Sequence, residues 1–173
     1  MSTERLFKPL PIAVLTISDT RTEADDKSGR LLVKMIEETG HRIAEKTICS
    51  DDTYAIRAHL SRWIADSAVS VIVTTGGTGL TGRDGAPEAV RPLLDKVIDG
   101  FGELFRVLSY EAIGTSTLQS RALAGVANGT VIFCLPGSPG ACKDGWTQLI
   151  AKQLDYRTRP CNLVELMPRF LER

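Results

Sequence analysis

Two hydrophobic periods alternate along the chain. Residues 12–17, Ile-Ala-Val-Leu-Thr-Ile, are almost all apolar and rich in β-formers, the pattern of a strand buried on both faces. A polar loop follows. Then Leu32, Met35, Ile36 and Thr39 recur at three- and four-residue steps, which predicts a helix opening near Asp26 and stopping at Gly40. Ala44 to Cys49 reads as a short strand. Asp51 and Asp52 are good caps for a helix whose Ile56, Leu60, Trp63 and Ile64 share a face. Val69 to Val73 is the next strand. Pro87 suits the first turn of a helix, and Leu93, Leu94, Val97 and Ile98 continue apolar. A helix is expected over Phe101–Tyr110, a strand over Thr130–Leu135, and a last helix with Trp146, Leu149, Ile150 and Leu154 on one face. Residues 113–129, crowded with small residues, Ser and Thr, have no clear period. The chain reads as one domain, 1–173, with irregular terminal segments 1–10 and 156–173.

Apolar strands separated by amphipathic helices predict an α/β fold, with a mostly parallel sheet covered on both faces. The three strongest strands run into Ser18-Asp19, Thr74-Thr75-Gly76-Gly77 and Pro136-Gly137-Ser138. In a parallel sheet such ends lie on one edge, and open α/β sheets bind ligands beyond that edge. A shared pocket and three separate tight turns are the two readings of these ends.

Composition narrows the function classes. Formal net charge is zero, whereas nucleic-acid binders carry an excess of Lys and Arg. No apolar run approaches the ~20 residues that span a bilayer. Met1 to Pro11 lacks the features of a signal peptide, so a cytoplasmic location is expected. The four cysteines, Cys49, Cys134, Cys142 and Cys161, include no Cys-x-x-Cys pair, which disfavours structural zinc. Cys49 and Cys134 sit in apolar runs and read as buried, inert thiols.

The candidate chemistry lies in residues 74–87, Thr-Thr-Gly-Gly-Thr-Gly-Leu-Thr-Gly-Arg-Asp-Gly-Ala-Pro. Glycines let several backbone amides approach one anion, and Asp84 beside them invites a metal. Gly77 to Gly82 satisfies G-x-G-x-x-G, but a dinucleotide site needs a helix starting inside the motif. Here eleven residues, Gly76 to Ala86, precede the helix signal. Arg83-Asp84 stands where a Walker loop has Lys and Ser/Thr. Asp84 is either functional or a cap of its own loop; Asp51 is open in the same way. No Ser-His-Asp or Cys-His arrangement emerges.

Thr74 to Gly79, with Arg83-Asp84 and Pro87-Glu88-Ala89, resembles the signature of the molybdenum-cofactor biosynthesis family of molybdopterin-binding domains. Ile17-Ser18-Asp19, Lys27-Ser28-Gly29, Gly100-Phe101-Gly102-Glu103 and Leu135 to Pro139 support it in order. Residues 114–121 and 157–162 look like its MoaB branch. The resemblance implies a three-layer α/β/α domain and a homo-oligomer, trimer or hexamer. It also implies binding of molybdopterin, a pterin with a dithiolene and a terminal phosphate. In catalytic relatives that phosphate attacks the α-phosphate of Mg-ATP, giving adenylated molybdopterin and pyrophosphate. By motif position Asp51 and Asp84 would be catalytic and hold Mg²⁺. Gly76, Gly77, Thr78, Gly79 and Arg83 would take the phosphates. Ser18, Asp19, Ser28, Pro136, Gly137 and Ser138 would take the pterin. Ala86 stands where active members have threonine, which leaves a non-catalytic molybdopterin carrier as the alternative. A dinucleotide-binding oxidoreductase is the remote rival.

Overall fold

The computed structural model describes residues 5–172; part of the expected N-terminal segment, residues 1–4, lies outside the described residues. Strands β1 (Pro11–Ile17), β2 (Arg42–Cys49), β3 (Val71–Thr75), β4 (Lys96–Val97), β5 (Leu123–Ala127) and β6 (Thr130–Leu135) form one sheet in the order β2-β1-β3-β6-β5-β4. The pairs β1–β2, β1–β3 and β3–β6 are parallel; β5–β6 and β4–β5 are antiparallel.

Helices cover both faces, as the apolar runs predict. On one face α1 (Lys27–Glu38), α4 (Asp99–Ile113) and α5 (Pro139–Asp144) pack, the last continuing through a π-helical stretch, Gly145–Ile150, into α6 (Ala151–Gln153). Their core includes Leu32, Ile36, Phe105, Trp146 and Ile150. On the other face α2 (Thr53–Ala65) and α3 (Ala86–Val90) bury Ile56, Leu60, Trp63 and Ala89 against Leu15, Ile72 and Ile132. The result is the expected α/β fold, with a mostly parallel sheet.

Three local expectations are corrected. The helix at Pro87 lasts only from Ala86 to Val90, and the apolar residues beyond it enter a 3₁₀ turn and β4. The unassigned stretch 113–129 contains a 3₁₀ turn, Gly114–Gln119, and the buried strand β5. The tail is not wholly irregular: Asn162 caps a one-turn helix, α7 (Leu163–Leu166), by accepting from the Glu165 amide at 2.9 Å. Cys49, Cys134 and Cys142 are buried; burial pushes the thiols of Cys49 and Cys142 up to about 11 and that of Cys134 up to about 12. Among the described residues no helix is long and apolar enough to cross a membrane.

Candidate functional site

The carboxyl ends of β1, β3 and β6 converge on Gly76. Its amide donates to the Leu135 carbonyl at 3.0 Å. A Cβ on it would meet the Ile17 carbonyl oxygen at 2.2 Å, and a Cβ on Gly137 would lie 3.3 Å from its Cα. With φ at +103°, only glycine fits this junction. Thr75 Oγ1 donates to the Pro136 carbonyl at 3.0 Å. The three strand ends are therefore one joint, not three independent turns.

Two depressions share that joint. The larger, about 450 Å³, runs along Gly76 to Gly79 and Asp84, past Pro136 to Ser138, to Phe105 and Ile113 of α4 and to Ser116, Gln119 and Ser120. The smaller, about 160 Å³, is lined by Thr16, Ser18, Arg21, Asp26, Ser28, Thr75 and Gly137.

The β3–α3 loop forms one wall. Gly77 continues the turn at φ +67°, and its carbonyl accepts from the Ala86 amide at 3.0 Å. Among the described residues the amides of Gly77 and Thr78 have no hydrogen-bond acceptor. Thr78 is nevertheless buried. An unpaired amide in such a place costs free energy unless a ligand or water takes it.

Two carboxylates flank these amides. Asp51 follows β2, and its Oδ1 accepts from the Gly85 amide at 3.0 Å. Burial pushes its carboxyl up, and the charges of Asp84 and Asp19 push it further. Asp84 accepts at Oδ2 from the Thr81 hydroxyl at 2.6 Å and amide at 2.9 Å, which hold its carboxyl down. Asp84 thus caps its own loop and also faces the cleft; the two readings of this residue are compatible. Asp52, not Asp51, caps α2, accepting from the amides of Tyr54 and Ala55.

Arg83 is engaged by a carboxylate. Its guanidinium pairs with Asp19, whose Oδ1 accepts from the Asp51 amide at 3.0 Å. That guanidinium holds the Asp19 carboxyl low.

The hydroxyls assigned to the pterin are partly engaged. Ser28 Oγ donates to the Gly137 carbonyl at 2.7 Å. Ser138 Oγ caps α5, accepting from the Ala141 amide at 3.2 Å. Ser18 Oγ accepts from the amides of Thr20 and Arg21. Ser138 keeps a hydroxyl proton to offer; the Ser18 hydroxyl shares its proton or accepts one at 3.5 Å from that of Thr20, and Ser28 keeps only its lone pairs.

Below the smaller depression lies a buried ion pair. Asp26 caps α1 through the Gly29 amide at 2.9 Å, takes the Thr16 hydroxyl at 2.8 Å and pairs with Lys46 at 2.8 Å. Burial raises its carboxyl, but these partners outweigh it and hold it low. A Cβ on Gly29 would meet Asp26 Oδ2 at 2.2 Å, which explains the glycine in Lys27-Ser28-Gly29. Sequence reasoning missed Asp26 as anything beyond a helix opener. It also gave Arg121 no role; that side chain bonds the Gly79 and Asp84 carbonyls.

Comparison with known proteins places the chain in a family and matches its fold. Residues 13–156 match the family model described as "Probable molybdopterin binding domain". Molybdenum cofactor biosynthesis protein B of Escherichia coli K12 is 57% identical over 162 residues, covering 94% of either chain. That of Staphylococcus carnosus is 47% identical over 155 residues, covering 88% of this chain and 91% of its own. A crystal structure of a molybdenum cofactor biosynthesis protein B superposes with a TM-score of 0.84 at 44% identity, covering 87% of this chain and 94% of that one. The tungsten cofactor synthesizing protein MoaB from Pyrococcus furiosus gives 0.77 at 38% identity, covering 84% and 92%. The chain described here therefore belongs to the molybdenum cofactor biosynthesis family and carries its molybdopterin-binding domain.

Proposed function

We propose that this protein transfers AMP from Mg-ATP to molybdopterin. The observation that carries the reading is the pair of unpartnered amides, Gly77 and Thr78, on a loop whose Gly77 packs against the Asp51 carboxylate and whose Gly79 packs against that of Asp84. Such a pair of amides suits phosphate oxygens. Phosphoryl transfer asks a protein mainly for alignment and charge neutralisation.

In the proposed reaction a terminal phosphate oxygen of molybdopterin forms a bond to the α-phosphorus of ATP. The bond from that phosphorus to the bridging oxygen breaks, and pyrophosphate leaves with the electron pair. The amides of Gly77 and Thr78 hold the phosphates, since those of Gly76 and Gly79 are already taken by the Leu135 carbonyl and the Asp84 carboxylate. Ser138 donates its free proton to the pterin or its phosphate, and Ser18, Ser28, Asp19 and Pro136-Gly137 shape its seat. Arg83 reaches the phosphates after releasing Asp19.

Among the described residues no cluster of three or more His, Cys, Asp or Glu is arranged to hold a metal. Asp51 and Asp84 are hard oxygen donors on two sides of the loop, and Mg²⁺ is commonly held by one or two carboxylates plus substrate phosphates. The pair fits that pattern. When bound, the ion neutralises charge on the transferring phosphate.

A carrier without catalysis is the second reading, and one observation favours it. Ala86 is fully buried, with its methyl 3.1 Å from where a Cβ on Gly77 would stand. No hydroxyl occupies the place where catalytic relatives are expected to have one. The dinucleotide reading loses its basis, since the residues after Gly82 are loop and α3 opens only at Ala86. Release of pyrophosphate from Mg-ATP in the presence of purified molybdopterin decides between the first two readings. Binding of molybdopterin without any turnover leaves the carrier.

A homo-oligomer belongs to the same proposal. Leu104, Val107, Tyr110 and Ile113 stand 55 to 62% exposed at three-residue steps on α4. An apolar helix face of that kind is typical of a buried interface. Sedimentation equilibrium would distinguish trimer from hexamer; a monomer would refute this part.

A further inference from the structure

The loop that carries Gly79 and Asp84 is tied at both of those residues to the Arg121 side chain. Arg121 sits in the link between the 3₁₀ turn Gly114–Gln119 and β5. Its Nε donates to the Gly79 carbonyl at 2.8 Å and its Nη2 to the Asp84 carbonyl at 2.7 Å. Its Nη1 pairs with the Glu88 carboxylate on α3. The side chain is only 28% exposed. It does not line the cleft. It lines a separate pocket of about 330 Å³ behind the loop, beside Arg91 and Arg106.

The two carbonyls are the feet of the excursion 79–84. Between them the loop is closed on itself: Thr81 bonds Asp84 Oδ2, and a Cβ on Gly79 would meet that same oxygen at 2.7 Å. The excursion is thus a compact unit, and the position of its feet sets the position of the Asp84 carboxylate. Both feet rest on one planar group with donors in a fixed fork, and the third branch of that group is tied to the helix that follows the loop. Lysine could satisfy one of these partners as a point charge. It could not space two carbonyls and a carboxylate at once.

We propose that Arg121 is a positioning residue, one guanidinium that sets where the Asp84 carboxylate stands relative to the Gly77–Thr78 amides without touching substrate itself. Its kinetic consequence rests on the adenylyl-transfer reading above; its effect on the loop does not.

The test compares wild type with Arg121→Lys and Arg121→Ala. Hydrogen exchange of the bonded loop amides of Thr81, Asp84 and Gly85 is followed against those of β1 and β3. Both variants are expected to keep β1 and β3 protected while loop exchange accelerates at least about tenfold, the scale of losing a charge-assisted hydrogen bond. Adenylation by both is expected to fall at least about tenfold in kcat with KM for molybdopterin little changed. Millimolar methylguanidine should restore kcat in Arg121→Ala, because the pocket behind the loop can admit it; a defect of folding alone would not respond. Unchanged loop exchange in a folded Arg121→Lys overturns the proposal, as does a lowered kcat that methylguanidine leaves unmoved. If wild type makes no adenylated product, the adenylyl-transfer reading fails, and loop exchange alone then decides the role of Arg121.

Discussion

The carboxylate of Asp51 lies directly over the Cα of Gly77: a Cβ there would meet its Oδ2 at 3.0 Å and its Oδ1 at 3.1 Å. Residues from two different loops thus share one small space, which exists only because position 77 has no side chain. Gly77 also holds φ at +67°, a conformation that costs a residue with a Cβ roughly 1–2 kcal/mol. Gly77→Ala is expected to lose at least about that much stability in urea unfolding. It should also shift the Asp51 carboxylate slightly and weaken Mg-ATP binding by calorimetry. Wild-type affinity in the variant would show that the contact has no bearing on the ligand.

Asp84→Asn keeps the shape of the side chain and an oxygen for the Thr81 amide. Stability should therefore change by less than about 1 kcal/mol. Adenylation should lose at least about 2 kcal/mol of transition-state stabilisation, about 30-fold in kcat, the scale of removing one electrostatic group. Kinetics beside a thermal melt separates the two effects. A fully active Asp84→Asn would remove Asp84 from the machinery.

Much of this was legible in the sequence because β1, β3 and β6 are central, and central parallel strands bury both faces. Their apolar runs and the small residues after them mark the joint at Gly76. β5 escaped notice for a physical reason. Its Leu-Ala-Gly-Val-Ala is small because another segment crosses close by; a Cβ on Gly125 would meet Leu94 at 2.5 Å and the Lys96 carbonyl at 2.6 Å. Small residues have weak strand propensity, so close packing erased the signal. β4, two residues long, is too short to have a period. Arg121 was hidden because two of its partners are carbonyls, which every residue possesses. The engagement of Ser28 with Gly137 needed coordinates too, since the two are 109 positions apart.

Glu45 gives a pH test of the β2–α2 contact. Its carboxylate receives both arms of Arg62 at 2.6 and 2.8 Å and the Trp63 indole at 2.9 Å. The Arg62 bonds, then that of Trp63, lower its pKa from 4.5 to about 2. A lowered carboxylate pKa means stability present above the unfolded value and lost as pH falls through the interval from 4.5 to about 2. With the side chain 39% exposed, solvent reduces the contribution to about 1 kcal/mol. Urea unfolding at about pH 6 and about pH 3 should show this loss in wild type and a smaller one in Glu45→Gln. Equal losses in both would shift the cause to other carboxylates.

Asp26 supports the smaller depression from beneath. Removing it strips the α1 cap, the Thr16 partner and one of the two carboxylates on Lys46, the other being that of Glu23. Asp26→Ala is expected to cost about 3 kcal/mol in urea unfolding, the scale of breaking a buried ion pair. Asp26→Asn should cost less, because an amide oxygen can still accept from Gly29. If both variants lose under about 1 kcal/mol, the pair with Lys46 contributes little beyond the cap.

The position of β6, flanked by β3 and β5 in the sheet order, bears on synthesis. A nascent chain that has emerged only as far as residue 129 can pair β2, β1 and β3, yet it has nothing to place beside β3. That strand must wait with an open flank until β6, Thr130–Leu135, has been made, more than fifty residues after β3 itself ends at Thr75. The ligand joint cannot close until the newest strand slides between two older ones. Occupancy of the cleft would then report on a chain whose β6 is in place, and a ribosome stalled before it would display a sticky, ligand-blind sheet.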